Sequence, residues 1–215
     1  MSLLIEGANI AGVEESDALL DAIALHKPDV VILTEAYHYS QHVPGYQRVQ
    51  YSKKHGAEAR DVLVLVKDGL KIKRRALIKM TQAWYGPFTL RKRAPRRYIV
   101  VVVVKDGVKY PIMAVHFPPG GPQGGVKTRG RNKSAWRASA KRVRRWLRLR
   151  ALAVAAGDFN ADKQDVKKYV APAGAIVDMA SNVDGAVAKA GELNVTVLPH
   201  PRKMHGWFLA RVFPA

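Results

Sequence analysis

The stretch Ala155-Ala-Gly-Asp-Phe-Asn-Ala-Asp162 (AAGDFNAD) decides how the chain is organised. It follows the apolar segment Leu152-Ala-Val154 and introduces two carboxylates and an amide within a few residues. A short apolar segment bounded by polar and turn residues is typical of a buried strand. We therefore expect a strand that ends here, with Asp158 and Asn160 at the rim of a sheet, where sites are commonly built.

Two other apolar segments end in the same way. Val30–Leu33 is followed by Thr34 and Glu35, and Ile112–Val115 is followed by His116-Phe-Pro-Pro119. Strand ends on one edge of a sheet bring together residues that are distant in sequence. The predicted rim holds four polar side chains: Glu35, His116, Asp158 and Asn160.

These residue types suit metal-assisted phosphate chemistry. Carboxylate and amide oxygens are hard ligands for Mg²⁺ or Mn²⁺, and histidine exchanges protons near neutral pH. A bound cation would offset charge on phosphoryl oxygens while a base activates water. Each element alone is weak, since a strand-terminal Asp is more often a cap and a lone His is more often structural.

The remaining periodicity predicts a mixed protein of strands and helices. Further strands are expected at 61–66 and 98–104, and Lys105-Asp-Gly107 predicts a hairpin turn between 98–104 and 109–115. Helices are expected over 14–27 and 132–150, with Trp136 and Trp146 of the second helix in the core. The class is therefore α/β or α+β with a layered sheet core, and we expect residues 1–215 to form a single domain.

The charge is high and clustered. The chain has 215 residues, with 36 Lys+Arg against 17 Asp+Glu and a formal net charge of +19. Residues 71–97 and 127–150 contain no Asp or Glu. A field of this kind attracts polyanions, so five cations are predicted to bind nucleic acid: Lys127, Arg129, Arg131, Lys133 and Arg137. The alternative is a solvated helix face.

The absence of cysteine excludes disulfides and thiolate metal sites. The first residues lack a basic segment followed by a long apolar core, which argues against a signal peptide. The longest apolar segment, 99–104, is far shorter than the roughly 20 residues needed to span a bilayer. A cytoplasmic protein that does not bind membranes is expected.

The order of these motifs resembles the endonuclease/exonuclease/phosphatase superfamily, the deoxyribonuclease I-like fold. The matching pieces span nearly the whole chain: Asn9 in GANIAG, Glu35 in VVILTEAY, Gly45-Tyr46, His116 in MAVHFPP, Gly157–Asn160 (GDFN), Asp184 in SNVDGAV and His205 in KMHGWFLARV. GDFN is the most specific. The resemblance implies a four-layer sandwich of two packed mixed β-sheets flanked by helices.

The resemblance also implies a role for each site residue. Glu35 would bind a divalent cation, Mg²⁺ or Mn²⁺, with Asn9 supporting the metal or the phosphate. Asp158 would position or deprotonate the attacking water, and Asn160 would hold the phosphate or orient its neighbours. His116 would protonate the leaving oxygen. His205 would contact the phosphoryl oxygen or act as base, and Asp184 would orient it. Arg97 (or Arg96) would contact the substrate phosphate.

One position departs from the family pattern. The family usually has Asp directly before the final His, whereas this chain has Lys203-Met204-His205. Loss of that carboxylate could weaken metal affinity, change metal preference or mark an inactive protein. The leading hypothesis is a metal-dependent DNA endonuclease of low sequence specificity, with DNA favoured over RNA. The alternatives are a phosphatase or lipid phosphodiesterase, and a non-catalytic nucleic-acid-binding protein on a decayed nuclease scaffold.

Overall fold

The computed structural model describes residues 2–36, 38–49, 61–79, 97–123, 132–181, 183–199 and 205–214. Within them the strands are β1 (Leu3–Asn9), β2 (Val30–Thr34), β3 (Tyr46–Arg48), β4 (Val62–Lys67), β5 (Lys71–Lys79), β6 (Arg97–Lys105), β7 (Val108–His116), β8 (Val154–Asp158), β9 (Ile176–Met179), β10 (Asp184–Ala188), β11 (Glu192–Val197) and β12 (His205–Phe213). The helices are α1 (Asp17–His26), α2 (Lys133–Arg148) and the short α3 (Lys163–Asp165), which continues into a π-helical turn at Val166–Val170. A 3₁₀ turn covers Gly121–Gln123.

The strands form two mixed sheets of six strands each. The first sheet has the order β11-β12-β1-β2-β4-β3, and the second has the order β5-β6-β7-β8-β10-β9. Each sheet contains one parallel pair, β1 with β2 and β7 with β8, and its other neighbours are antiparallel. The parallel pairs lie near the middle of each sheet, so the carboxyl ends of both strands in each pair lie at the same edge.

The inner faces of the two sheets pack against each other. Their buried side chains form one apolar cluster that includes Ile5, Ile32, Val101, Ile112 and Phe208. The outer face of the first sheet is covered by α1, and that of the second sheet by α2 together with the π-helical turn at Val166–Val170. Strands β2 and β8 are consequently buried along their whole length, which explains why their sequences are continuous apolar segments instead of alternating ones.

Helix α1 covers the first sheet and is shorter than the predicted 14–27. The Ser16 side chain accepts a hydrogen bond from the Leu19 amide at 3.2 Å, which caps the helix at its start. Lys27 ends it in a left-handed conformation with φ of 50°, and Pro28 follows. Leu19 and Ile23 are buried against the outer face of the sheet.

Helix α2 covers the second sheet. It buries Trp136, Ala140, Val143, Trp146 and Leu147 in one cluster with the outer face of that sheet. Both tryptophans therefore lie in the core, as predicted. The four layers are helix, sheet, sheet and helix, which confirms the sandwich architecture. No helix among the described residues is both long and apolar enough to cross a membrane.

The predicted hairpin is present, with Asp106 and Gly107 joining β6 to β7. Both turn residues have positive φ, 51° and 79°, as a two-residue type I′ turn requires. The strand expected at 152–154 starts later than predicted, because Leu152 has a φ of 53° and belongs to the preceding turn. Strand β8 instead runs from Val154 through Asp158, so the site carboxylate is the last residue of the strand.

Strand β5 was not predicted. Its sequence KIKRRALIK lacks a regular alternation because the register shifts between Ile72 and Arg74 in its pairing with β6. A bulge of this kind moves one side chain out of phase. The strand also lies at the edge of its sheet, where charged side chains are tolerated and protect against edge-to-edge pairing.

Candidate active site

Polar side chains from both sheets lie at one edge of the sandwich. In the first sheet, backbone register aligns Asn9 with Thr34 of β2 and with His205 of β12. In the second sheet, it aligns Asp158 with His116 of β7 and with Asp184 of β10. The parallel pairs β1–β2 and β7–β8 bring their carboxyl ends to this edge. The predicted strand-end residues therefore share one rim.

The His116 imidazole connects the two sheets at this rim. The side chain is buried, and Nδ1 lies 2.9 Å from Oδ1 of Asp61. Since an ionised carboxylate only accepts hydrogen bonds, Nδ1 carries a proton and donates a hydrogen bond to Asp61. The other ring nitrogen, Nε2, lies 3.6 Å from Oδ2 of Asp158 and 3.9 Å from Oε1 of Glu35. The tautomer is thus fixed by Asp61, and Nε2 faces the two site carboxylates.

Asp61 is a site residue that the sequence analysis treated only as the start of a strand. It directly precedes β4, whereas the residues of the predicted rim end or follow their strands. Strand β4 is antiparallel to β2, and Val62 is aligned with Thr34. The amino end of β4 therefore lies beside the carboxyl end of β2. A predicted antiparallel neighbour of 30–34 was the signal that could have identified this carboxylate.

The GDFN segment is built around close backbone contact. Gly157 has a φ of 132°, and a Cβ at this position would overlap the backbone carbonyl of Val115 on the neighbouring strand. Only glycine satisfies both constraints. Two residues later, Phe159 is fully buried against Phe117 and Trp136, with ring centroids 5.4 Å apart for the Phe117 pair. Asp158 is thus held between a glycine that fixes the strand and a phenylalanine anchored in the core.

Asn160 orients the residues around Asp158. Its backbone amide donates to Asp158 Oδ1 at 2.7 Å, and its side-chain Nδ2 donates to the carbonyl of Phe117 at 2.9 Å. The residue has a φ of 49°, which is uncommon for a residue other than glycine. Asn160 therefore joins the end of β8 to the segment that follows His116.

Asn9 reaches Asp158 across the gap between the sheets. Its Nδ2 donates to Asp158 Oδ2 at 3.3 Å, and its Oδ1 accepts from the Ala11 amide at 3.0 Å. The side chain is fully buried. This arrangement makes Asn9 a support for the Asp158 carboxylate.

Glu35 is the most accessible acid of the group, with 35% of its side chain exposed. It follows β2 directly and has a φ of 54°. Its backbone carbonyl accepts from the Gly12 amide at 2.9 Å, which fixes the turn after the strand. Backbone strain of this kind in a non-glycine residue is concentrated at functional sites. The Glu35 carboxylate is therefore available for a ligand.

Asp184 lies against the start of β12. A Cβ at Gly206 would overlap the Asp184 carboxylate, and Gly206 has a φ of 61°. Asp184 Oδ2 also accepts from the hydroxyl of Ser181 at 3.0 Å. The buried carboxylate is thus placed beside the backbone of the residue that follows His205. The backbone of His205 belongs to β12, and its side chain lies outside the described part.

The predicted phosphate-binding cations are only partly described. Lys127, Arg129 and Arg131 lie outside the described residues, and Arg97 is described only as the first backbone position of β6. Lys133 and Arg137 are exposed on the first turns of α2. This end of α2 is joined to the rim, because Asn132 donates to the carbonyl of Pro119 at 3.3 Å and Trp136 Nε1 donates to that of Phe159 at 2.8 Å.

The oxygen donors suit a hard divalent cation. Glu35 and Asp158 both approach the same histidine nitrogen, so their oxygens face a common space. Among the described residues, no group of three or more His, Asp or Glu side chains forms a complete cage for a metal ion. Mg²⁺ is usually held by one or two carboxylates together with water and substrate phosphate. Two oxygen donors facing one space fit that requirement.

Comparisons with known proteins agree with this architecture. The chain is similar to a humanised D. rerio TDP2, with a TM-score of 0.68, 15% identity and coverage of 100% of this chain and 99% of that one. The human Nocturnin catalytic domain with bound sulfate gives 0.65, 18% identity and 98% and 93% coverage. Sphingomyelinase C from Streptomyces griseocarneus gives 0.63, 14% identity and 99% and 100% coverage.

A search of curated proteins by sequence returned no significant match. The sequence model of the Endonuclease/Exonuclease/phosphatase family, in contrast, matches residues 7–207. This match includes every strand from the end of β1 to the start of β12, and hence the whole rim. The fold and the matched residues agree, and the chain belongs to the Endonuclease/Exonuclease/phosphatase family.

Proposed function

We propose that the protein is a divalent-metal-dependent phosphodiesterase that hydrolyses the backbone of nucleic acid, as a DNA endonuclease of low sequence specificity. The observation that carries the proposal is the buried His116–Asp61 pair, whose other ring nitrogen, Nε2, faces Asp158 and Glu35. This is an acid–base group held in one tautomer beside two carboxylates. Such a group can transfer a proton to or from a phosphate oxygen.

His116 acts as the general acid in this proposal. The acid is the imidazolium form, in which both ring nitrogens carry a proton. Asp61 holds the Nδ1–H, so the proton that moves belongs to Nε2, which faces the site. The proton passes from Nε2 to the oxygen that leaves phosphorus. Asp61 does not touch the substrate in this scheme, and its role is to fix the orientation of the ring.

Asp158 orients and deprotonates the attacking water. The Oδ1 atom is held by the Asn160 amide and Oδ2 by Asn9, so the carboxylate has one orientation. Proper orientation of a reacting group provides a large part of enzymatic rate acceleration. Asn9 and Asn160 therefore contribute by positioning Asp158.

His205 is assigned to the phosphoryl oxygens, with Asp184 as its orienting partner. The support is the position of the Asp184 carboxylate directly beside Gly206 and the pairing of His205 with Asn9 in the first sheet. Strands β1 and β12 thus bring Asn9 and His205 to the same rim.

Glu35 and Asp158 would hold the cation, Mg²⁺ or Mn²⁺. A bound divalent ion supplies charge neutralisation at the phosphoryl oxygens. Glu35 contributes an accessible carboxylate that the backbone of the turn holds in place. The absence of an aspartate before His205 leaves one fewer carboxylate in this region than the family pattern has, and we expect weaker metal affinity as a result.

Nucleic acid as substrate is supported by charge. The net charge of +19 favours a polyanion over a small phosphate ester. A relative of similar fold, the D. rerio TDP2 with a TM-score of 0.60 and 15% identity, has been crystallised with a single-strand DNA product. Both observations are consistent with a nucleic-acid backbone at the rim.

The decisive test is cleavage of supercoiled plasmid with Mg²⁺, Mn²⁺, Ca²⁺ or a chelator. Asp158→Asn serves as the inactive control. Metal-dependent nicking that the control lacks is the expected result. Nicking by both proteins would indicate a contaminating nuclease, and no nicking of DNA or RNA by the wild-type protein under any cation would overturn the proposal.

A second candidate is a non-catalytic nucleic-acid-binding protein. The observation in its favour is Met204, which stands where the family usually has a carboxylate. Tight, salt-sensitive binding that persists in chelator, without cleavage under any cation, is the result that would support this candidate.

A further inference from the structure

A group of cations lies at the end of the second sheet that is opposite the active site. We name it the distal basic cluster and define it by five residues: Lys71, Lys73, Arg74, Lys109 and Arg150. The first four are exposed, and Arg150 is partly exposed. Lys109 is seven residues before His116 on β7, so the cluster is about 24 Å from the catalytic histidine along the strand.

The strand register brings these cations onto one face. Lys71 on β5 is aligned with Val104 on β6, which is aligned with Lys109 on β7. The next residues in register, Ile72, Val103 and Tyr110, pack in the core between the sheets. Since side chains alternate along a strand, Lys71 and Lys109 point to the outer face, which α2 also covers.

The like charges in this cluster approach one another closely. Side-chain interaction with Lys109, together with the charges of Lys109 and Lys71, lowers the pKa of Lys73. A protonated lysine has three donors and no acceptor, so two of them repel each other. None of Lys71, Lys73, Arg74 and Lys109 forms an ion pair with a carboxylate in the described part of the chain.

Asp29, at the same end of the sandwich as the cluster, already has partners of its own. Asp29 accepts from Lys105 Nζ at 2.6 Å and from the Leu4 amide at 2.8 Å. Two exposed acids lie in turns beside the cluster: Asp68, three residues before Lys71, and Asp106 in the hairpin turn. Their two negative charges are fewer than the five positive charges of the cluster. The charge of the cluster therefore exceeds what its surroundings neutralise, and an external anion is the natural counter-charge.

Helix α2 connects the distal basic cluster to the active site. Its exposed side carries seven cations and no acid: Lys133, Arg137, Lys141, Arg142, Arg144, Arg145 and Arg148. The helix begins at the rim and ends near the cluster. There, burial and the charge of Arg74 lower the pKa of Arg150, whose guanidinium lies 5.0 Å from the centroid of Trp146.

We propose that the distal basic cluster is a second, non-catalytic binding site for the phosphate backbone of nucleic acid, connected to the active site by the cationic side of α2. One long nucleic acid then contacts both ends of the second sheet. That the bound nucleic acid is also the polymer that is cleaved rests on the proposed function. Binding to the cluster itself does not require cleavage.

Nucleic acid fits this surface better than an anionic membrane does. Five of the seven exposed cations on α2 are arginines, whose guanidinium groups bind phosphate in a bidentate manner. A helix that lies in a membrane interface inserts its apolar face, whereas the apolar face of α2 is buried in the core. Leu149, with 64% exposure, is the large apolar side chain that α2 leaves at its end, and it makes a vesicle control necessary.

The test compares two variants of equal charge. Lys73→Gln/Lys109→Gln removes two cations from the cluster, and Lys27→Gln/Arg211→Gln removes two exposed cations from the outer side of the first sheet. Binding of a labelled 40-base-pair duplex is measured in chelator over a range of KCl concentrations. Each lost phosphate contact lowers the slope of log K against log salt by about 0.9, so the cluster variant should lose about 1.8. The control variant should keep the wild-type slope.

A second measurement separates this inference from the proposed function. The cluster variant should cleave a duplex of about eight base pairs at the wild-type rate, and it should lose at least threefold of plasmid nicking at 150 mM salt. If the wild-type protein cleaves nothing, the binding measurement still decides. Equal slopes for the two variants would overturn the proposal. A cluster variant that loses binding to phosphatidylserine vesicles but keeps wild-type binding to the duplex would also overturn it.

Discussion

The two ends of strand β7 hold polar groups in opposite ways. At the His116 end, His116, Asp61 and Asp158 are buried and in contact with polar partners, as in the 2.9 Å contact between His116 and Asp61. At the Lys109 end, the cations are exposed, and interaction with the like-charged Lys109 lowers the pKa of Lys73. Buried partners fix geometry, which catalysis requires, whereas exposed like charges create a field, which attracts a polyanion without fixing its position. One strand thus separates a precise site from an adaptable one.

The largest expected effect breaks the precise end alone. Asp158→Asn keeps the size of the side chain and an oxygen that can accept from Asn9. It removes the negative charge of the carboxylate, which the proposed mechanism needs to deprotonate the attacking water. We expect turnover to fall by about 10³ or more, while affinity for DNA in chelator stays within about threefold. Plasmid nicking and duplex binding measure the two quantities, and an equal loss of both would indicate a folding defect.

His116 and Asp61 sharpen the comparison, because His116 would touch the substrate, whereas Asp61 would act only by orienting His116. His116→Gln should lower the rate about 10²–10⁴-fold. Asp61→Asn should lower it about 10–100-fold, as expected for a residue that orients an imidazole. The pH–rate profile distinguishes the roles. Asp61→Asn should shift the profile, and His116→Gln should remove one limb, whereas an unchanged profile in both would exclude this pair from proton transfer.

Gly157 tests whether the precise end depends on close backbone packing. A methyl group there would overlap the Val115 carbonyl, so Gly157→Ala should lower the free energy of unfolding by about 3 kcal/mol. Gly45 also has a positive φ, of 77°, but nothing lies within 4 Å of the added Cβ. Gly45→Ala should therefore cost only about 1 kcal/mol. Equal losses in urea denaturation would mean that strain, and not overlap, decides.

The smallest effect concerns a buried carboxylate outside the rim. Glu6 accepts from Trp207 Nε1 at 2.7 Å and lies 3.3 Å from His26 Nδ1. Burial raises the pKa of the Glu6 carboxyl against these two contacts. Its contribution to stability is therefore present below the unfolded pKa and is lost as pH rises through the folded pKa.

Glu6→Gln keeps an acceptor for Trp207 and cannot ionise. At pH 8 we expect its Tm to exceed that of the wild type by about 2–4 °C, or about 1 kcal/mol for a chain of this size. The difference should shrink towards pH 4, where the wild-type carboxyl is protonated. Thermal unfolding at both pH values checks this, and a variant that is less stable at pH 8 would contradict it.

Much of the fold was predictable because strand, turn and helix signals are local. The Asp106-Gly107 hairpin and the apolar side of α2 were identified correctly for this reason. The sequence placed β8 too early, because Gly157 and Asp158 were interpreted as residues after the strand. Strand β5 was missed because its bulge removes the alternation on which the prediction depends.

The site was predictable where polar residues end or directly follow strands, as His116 and Glu35 do. Asp61 was missed because it precedes its strand, and its importance depends on the antiparallel pairing of β4 with β2. Pairing between strands is a non-local property that local patterns do not contain. The distal basic cluster was missed for the same reason, since Lys73 and Lys109 come together only through the register of β5, β6 and β7.

The pairing of β1 with β12 has a consequence for synthesis of the protein. Leu3 is aligned with Val212 and Asn9 with His205, so β1 obtains one of its two neighbours from a strand that is synthesised after all the other described strands. Until residue 213 has been made, β1 has an open edge and the rim lacks His205. A growing chain therefore cannot assemble the complete site. Under the proposed mechanism, the rim therefore lacks one of its predicted residues until β12 has paired with β1.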